Sequence, residues 1–193
     1  MALIPDIIAV ILGYLLGSIP SAYIVARLIG KIDIRPEGDG KISASVVHRK
    51  VGLIPFLLVV VMDVSKGALT VLAAWLLTDS LIVVLLAGFA AVAGHNWSVF
   101  LKFKGGMGAT VTYGVLVALA WWQTLIAAAV GGILFYIIKK SGFSTAVLIG
   151  ILTAILLVQF FLGKEPLILV PYPVILILLM LLKRFQLARQ RPS

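Results

Sequence analysis

The chain has 193 residues, of which 62% are hydrophobic and only 12% charged, and its mean hydropathy is +1.19. A soluble domain is about 45–50% apolar and about 25% charged, so a soluble globular fold is excluded, and continuous runs such as Leu57 to Met62, Leu81 to Gly94 and Leu125 to Ile138 leave helical spans rather than a transmembrane barrel. The absence of cysteine removes disulfides, thiolate catalysis and cysteine-ligated metal, and the net charge of +9 reads as cations distributed by membrane topology rather than as nucleic-acid binding.

The first predicted span runs from Ala2 to about Gly30, a retained span without a basic leader or small-residue cleavage site. Gly17, Ser18, Ile19 and Pro20 interrupt it, a kink whose freed carbonyls must find partners within the bundle. After a polar segment from Lys31 to Lys50, the stretch 52–62 is apolar but meets Asp63 and Lys66 after about eleven residues. It predicts a short re-entrant or interfacial helix, in preference to the start of a long helix with those charges inside. Gly67 to Thr78 and Leu81 to Gly94 read as two crossings turned at Asp79 and Ser80, followed by a glycine-rich loop from His95 to Gly108. The apolar stretch from Ala109 to Ile138 is too long for one upright helix and splits near Trp121, Trp122 and Gln123, an aromatic interface signal. Ser144 to Leu162 and Leu167 to Leu182 complete an all-α, single-domain membrane protein of about seven transmembrane helices.

An odd number of crossings puts the termini on opposite sides. With the N-terminus outside and the C-terminus inside, Lys31, Arg35, Lys41, Arg49, Lys50, Lys66, Lys102, Lys104, Lys139, Lys140, Lys183, Arg184, Arg189 and Arg191 fall on the cytoplasmic side, and Lys164 falls outside. Three segments on that side could carry chemistry: 39–49, 63–67 and 94–108. In the third, Gly105, Gly106 and Gly108 let backbone N–H groups approach an anion, Lys104 flanks them, and a helix N-terminus follows. The same glycines would also serve a tight turn, with the lysines anchoring it among headgroups. Asp63 and Lys66 are one helical turn apart, which suits a structural ion pair at membrane depth. His95 and Asn96 could bond a phosphoryl or carbonyl oxygen or close the loop. One histidine there makes no metal site, and His48 reads as a solvated loop residue.

Together these segments resemble the bacterial acyl-phosphate:glycerol-3-phosphate acyltransferases called PlsY. The resemblance covers nearly the whole chain: Gly17 to Tyr23, the first motif from Asp39 to Gly52, the second at Asp63, Lys66 and Gly67, and the third from Gly94-His95-Asn96 to Phe103-Lys104-Gly105-Gly106, which is the most specific. It implies transfer of a fatty acyl group from acyl phosphate to glycerol 3-phosphate, giving lysophosphatidic acid in phospholipid synthesis. It also implies a multi-pass protein of the bacterial inner membrane working among membrane lipid, with no metal or other cofactor. The substrate-binding residues it implies are Ser45, Arg49, Lys66, His95, Asn96, Lys104, Gly105, Gly106, Gly108 and Ser144.

The departures are specific. Asp39, Lys41, Ser43, Ser45 and Val46 replace the first serine, first asparagine, second glycine, threonine and second asparagine of the first family motif, while Gly40, Ile42, Ala44, Arg49 and Gly52 hold. Met107 stands where the third motif carries a lysine, and Phe185 and Ala188 stand where a histidine and an asparagine follow the last span. Lys41 or Lys104 would be the nearest replacements for the missing charge. Two other readings follow: a silent or re-purposed paralogue that binds a lipid phosphate, and a small transporter. The latter suits kinked spans and an intramembrane charge pair, but not polar residues gathered on one side without an internal repeat.

Overall fold

A computed structural model describes residues 3–35, 42–139 and 141–189, and every regular element among them is helical. In chain order these are α1 (Leu3–Ser18), α2 (Ser21–Leu28), α3 (Ala44–Lys50), α4 (Leu53–Leu77), α5 (Leu81–Asn96), α6 (Ala109–Leu119), α7 (Trp121–Ile138), α8 (Ser141–Phe161) and α9 (Tyr172–Arg189), with single 3-10 turns at Val99–Leu101 and Leu167–Leu169. Among the described residues, six stretches are long and apolar enough to cross a membrane: Leu3–Leu28, Leu53–Leu77, Leu81–Leu101, Trp121–Ile138, Ser144–Phe161 and Leu167–Arg189. Ala109–Leu119 is a shorter apolar helix. The chain is therefore a multi-pass helical membrane protein.

One boundary is corrected. The stretch 52–62 forms no separate re-entrant helix but is the first half of α4, a continuous 25-residue helix with Asp63 and Lys66 inside it. The carboxylate and the ammonium lie 2.8 Å apart. Mutual neutralisation on one helix face lets α4 run on through the charges, and the crossing expected from Gly67 begins instead at Leu53. The split of the later apolar stretch holds: α6 ends at Leu119, Ala120 leaves helical geometry, and α7 begins at Trp121.

The bundle closes tightest where small residues let backbones touch. A Cβ on Gly17 would collide with the Ala91 carbonyl and one on Gly94 with the Tyr14 carbonyl, which locks α1 to α5. A Cβ on Gly67 would strike the Val111 carbonyl, and one on Gly114 the Val64 carbonyl, which locks α4 to α6. Asp63 and Thr110 flank this second contact, so the seam sets them side by side. α6, at about 1.5 Å per residue, spans roughly 16 Å and starts level with Asp63, about 15 Å below the first turn of α4. The short helix thereby leaves a recess beside α4.

A smaller apolar cluster of Ala22, Val25, Ala26, Ile34, Ile42, Val46, Val47 and Val59 holds α2 and α3 against α4 and roofs that recess. On the segment after α2, the Asp33 carboxylate accepts the Arg35 backbone N–H at 3.0 Å and its guanidinium at 2.6 Å. These bonds hold the Asp33 carboxyl down to about 2, and the guanidinium lies 5.0 Å from the centre of the Tyr23 ring. The turn toward α3 is fixed in this way.

Candidate active site

The site starts from the break between α1 and α2. Pro20 has no N–H to continue the ladder, and the carbonyls it frees find the partners expected of them. Ser18 O accepts the Ser98 hydroxyl at 2.6 Å, and Ile19 O accepts the Lys66 ammonium at 2.8 Å. A third chain segment thus meets α4 and α5 at the kink.

Lys66 is 5% exposed and Asp63 2% exposed. The ammonium meets Asp63 Oδ1 at 2.8 Å and His95 Nδ1 at 3.0 Å, while Asp63 Oδ2 accepts the Thr110 hydroxyl at 2.9 Å. An ammonium has only donors, so His95 Nδ1 accepts and Nε2 carries the ring proton. That nitrogen lies against Gly106, where a Cβ would displace it. Asp63, Lys66, His95 and Thr110 form one network at the root of the recess, with its two full charges cancelled.

The glycine segment divides its work. Gly106 spends its N–H on His95 O at 3.2 Å, and Gly105 is pressed against the His95 and Asn96 carbonyls, so this pair seats the loop on the end of α5. Gly108 is the glycine that lines the cavity: at φ +76 it adopts the left-handed geometry that turns the chain into α6. The first internal bond of α6 runs from the Thr112 N–H to Gly108 O. The N–H groups before it point to the recess, the positive end of the helix dipole. Asn96, fully buried, has neither its amide nitrogen nor its oxygen hydrogen-bonded within the described residues, and its oxygen lies against Gly108.

The recess is a cavity of about 220 Å³ lined by Ser43, Ala44, Ser45, Asp63, His95, Met107, Gly108, Ala109 and Thr110. Of the residues expected to bind substrate, Ser45, His95 and Gly108 meet on its wall. Arg49 is exposed and does not line it; it lies one turn beyond Ser45 on α3. Lys104 is exposed on the loop outside, while Gly105 and Gly106 border a second recess of about 10 Å³ beside the α1–α2 break. Lys66 and Asn96 lie behind the wall. Ser144 is buried at the start of α8, its carbonyl beside Gly131, away from the lining. Lys41 lies outside the described residues.

Sequence reasoning passed over Ser43 and Thr110, which also line the cavity. Thr110 stands two residues after Gly108, at the register where a hydroxyl in the first turn of a helix faces back over its N-terminus. Ser43, which precedes α3, was legible only as a departure from a motif.

A cavity that gathers three hydroxyls, a carboxylate, an imidazole and a helix N-terminus on its wall, sunk in an apolar bundle, defines a membrane protein built to handle a polar headgroup. A family model described as glycerol-3-phosphate acyltransferase matches residues 7–191, and the chain belongs to that family. It is 39% identical over 160 residues to the glycerol-3-phosphate acyltransferase of Endomicrobium trichonymphae, covering 81% of this chain and 77% of the relative. To that of Shouchella clausii it is also 39% identical over 160 residues, covering 80% and 78%. Its fold matches the crystal structure of PlsY, an integral membrane glycerol 3-phosphate acyltransferase, in two forms. For the glycerol 3-phosphate form the TM-score is 0.80 at 27% identity, over 96% of this chain and 90% of that one. For the lysophosphatidic acid form it is 0.74 at 28% identity, with the same coverage.

Proposed function

We infer that the chain is a glycerol-3-phosphate acyltransferase that moves a fatty acyl group from acyl phosphate to glycerol 3-phosphate and yields lysophosphatidic acid for phospholipid synthesis. The observation that carries this reading is the cavity itself: hydroxyls of Ser43, Ser45 and Thr110, the His95 ring and the opening of α6 meet in one recess of an otherwise apolar bundle. Family membership and the match to PlsY support it. The lipid-facing helices offer the acyl chain an apolar place while the phosphates stay in the recess.

Acyl phosphate is an activated anhydride, so the chemistry needs positioning more than a strong nucleophile. The acceptor hydroxyl attacks the acyl carbon, the new ester C–O bond forms, and the C–O bond to phosphate breaks. Inorganic phosphate leaves, and the hydroxyl proton passes to a phosphate oxygen. Ser45, His95 and the N–H groups after Gly108 contact substrate, with the proton on His95 Nε2 available to an oxygen. Arg49 and Lys104 gather the anions at the mouth, and Lys66, Asn96, Gly105 and Gly106 hold the wall in place.

The basic residues support an N-terminus outside and a C-terminus in the cytoplasm of a bacterial plasma membrane, with the cavity on the cytoplasmic side. Reporter fusions after Ser193 and within the Lys102 to Gly108 loop are expected on the same side; opposite sides would refute this orientation. Acyl transfer by the purified protein, with acyl phosphates of several lengths and a panel of acceptors, tests the activity. Release of phosphate dependent on glycerol 3-phosphate is the expected result. No turnover with any pair, by folded monodisperse protein, would leave the silent-paralogue reading.

A further inference from the structure

Three charged side chains are buried among the described residues: Asp63, Lys66 and Lys183. The first two pair with each other, whereas Lys183, 3% exposed near the end of α9, has no carboxylate partner among the described residues. Its ammonium lies 5.2 Å from the centre of the Trp97 ring. Trp97 is itself fixed: its indole N–H donates to Gln186 Oε1 at 2.8 Å and its carbonyl accepts the Tyr14 hydroxyl at 2.7 Å.

The place of Lys183 in the fold follows from register. Thr112 Oγ1 and Met180 Sδ lie 3.7 Å apart and align α6 with the oppositely running α9. One turn past Met180 on α9 is Lys183; one turn before Thr112 on α6 are Gly108 and Ala109, the cavity wall beside Met107. Trp97 stands two residues after His95, another wall residue. Burying an ammonium without an anion is costly, and a methionine or leucine would pack against the indole without that cost. Inside the cavity, by contrast, the Asp63 and Lys66 charges cancel, and among the described residues no unpaired cation stands on its wall to meet two phosphate-bearing substrates.

We propose that Lys183 is a substrate-binding cation, whose ammonium meets a phosphoryl oxygen at the α6 end of the cavity and supplies from α9 the charge that Met107 does not supply from the loop. The proposal rests on the acyl-transfer reading for its substrate and on the buried, unpaired ammonium for its site. The phosphoryl group belongs to either glycerol 3-phosphate or acyl phosphate.

The test compares Lys183→Gln, Lys183→Arg and the double variant Lys183→Gln/Met107→Lys in acyl transfer. Lys183→Gln is expected to lower kcat/KM roughly tenfold or more, the weight of one charge-assisted bond. The substrate whose KM rises identifies the phosphoryl group. The double variant is expected to recover most of the loss, which a role in packing against Trp97 would not allow, whereas Lys183→Arg keeps both the charge and the contact with the indole and is expected to retain most of the activity. Activity of Lys183→Gln within about twofold of wild type, or a loss that the double variant does not recover, overturns the proposal. A second readout is thermal unfolding in detergent with saturating inorganic phosphate. The melting temperature of wild type is expected to rise, and that of Lys183→Gln is expected not to. If wild type transfers no acyl group, the functional reading falls. The phosphate effect then still decides the cation: its loss in Lys183→Gln supports the site, and an equal rise in both overturns it.

Discussion

The two halves of the bundle are joined in different ways. α1 meets α5, and α4 meets α6, backbone against backbone through Gly17, Gly94, Gly67 and Gly114. In α7 and α8 the glycines at 132 and 150 face open space, and Ile133, Tyr136 and Ile137 are exposed. In lipid, apolar side chains gain little by meeting one another, so close backbone approach is the means of fixing helices rigidly. The rigid joint is placed where Asp63, His95 and Thr110 must hold a constant geometry, and the looser pair lies outside it.

The largest effect is expected from breaking that joint. Gly114→Val puts a branched side chain into the Val64 carbonyl, with no flexible neighbour to give way. Loss of correctly folded protein, read as loss of the monodisperse peak in detergent and of all activity, is the expected outcome; a folded and active variant would show that α4 and α6 do not set the site. Asp63→Asn follows. It strips the partner from a buried ammonium, for which about 3–5 kcal/mol is usual, and should lower both thermal stability and turnover. Thr110→Val, nearly isosteric, removes one hydrogen bond to a carboxylate, worth about 1.5–3 kcal/mol. A drop in kcat is expected beside a melting temperature lowered by several degrees, and an unchanged kcat would remove Thr110 from the site.

How much of this was legible in the sequence differs between the same two halves. Composition and apolar runs gave the helical membrane class and the turn near Trp121, because a bilayer imposes length and hydropathy on every span. The kink at Pro20 and the pairing of Asp63 with Lys66 were legible because each follows from local chemistry. The course of α4 was not. Charges at positions 63 and 66 look like the end of a span until their partners are known, and those partners, Ile19 O and His95, lie 47 and 29 residues away. Lys183 was hidden for a related reason: in sequence it is one more cation after the last span, and only the packing of α9 on Trp97 sets it apart from the exposed Arg184 and Arg189.

The smallest effect is expected in the outer pair. Gly132→Ala and Gly150→Ala each add a methyl group where nothing stands within 4 Å of the new atom. Alanine restricts the unfolded chain and favours the helix over glycine by about 0.5–1 kcal/mol. Each variant should therefore melt slightly higher than wild type, with acyl transfer unchanged, because neither position touches the seam that holds the cavity. Glycine at such positions in a membrane helix is otherwise the mark of a close helix–helix contact. A clear loss of stability from either alanine would mean that the open face is covered in the membrane, and a shift in oligomeric state in the same sample would identify a second copy of the chain as the cover. Equal or higher stability instead leaves that face to lipid, and with it the contrast between a rigid half that carries the site and an outer half that only completes the bundle.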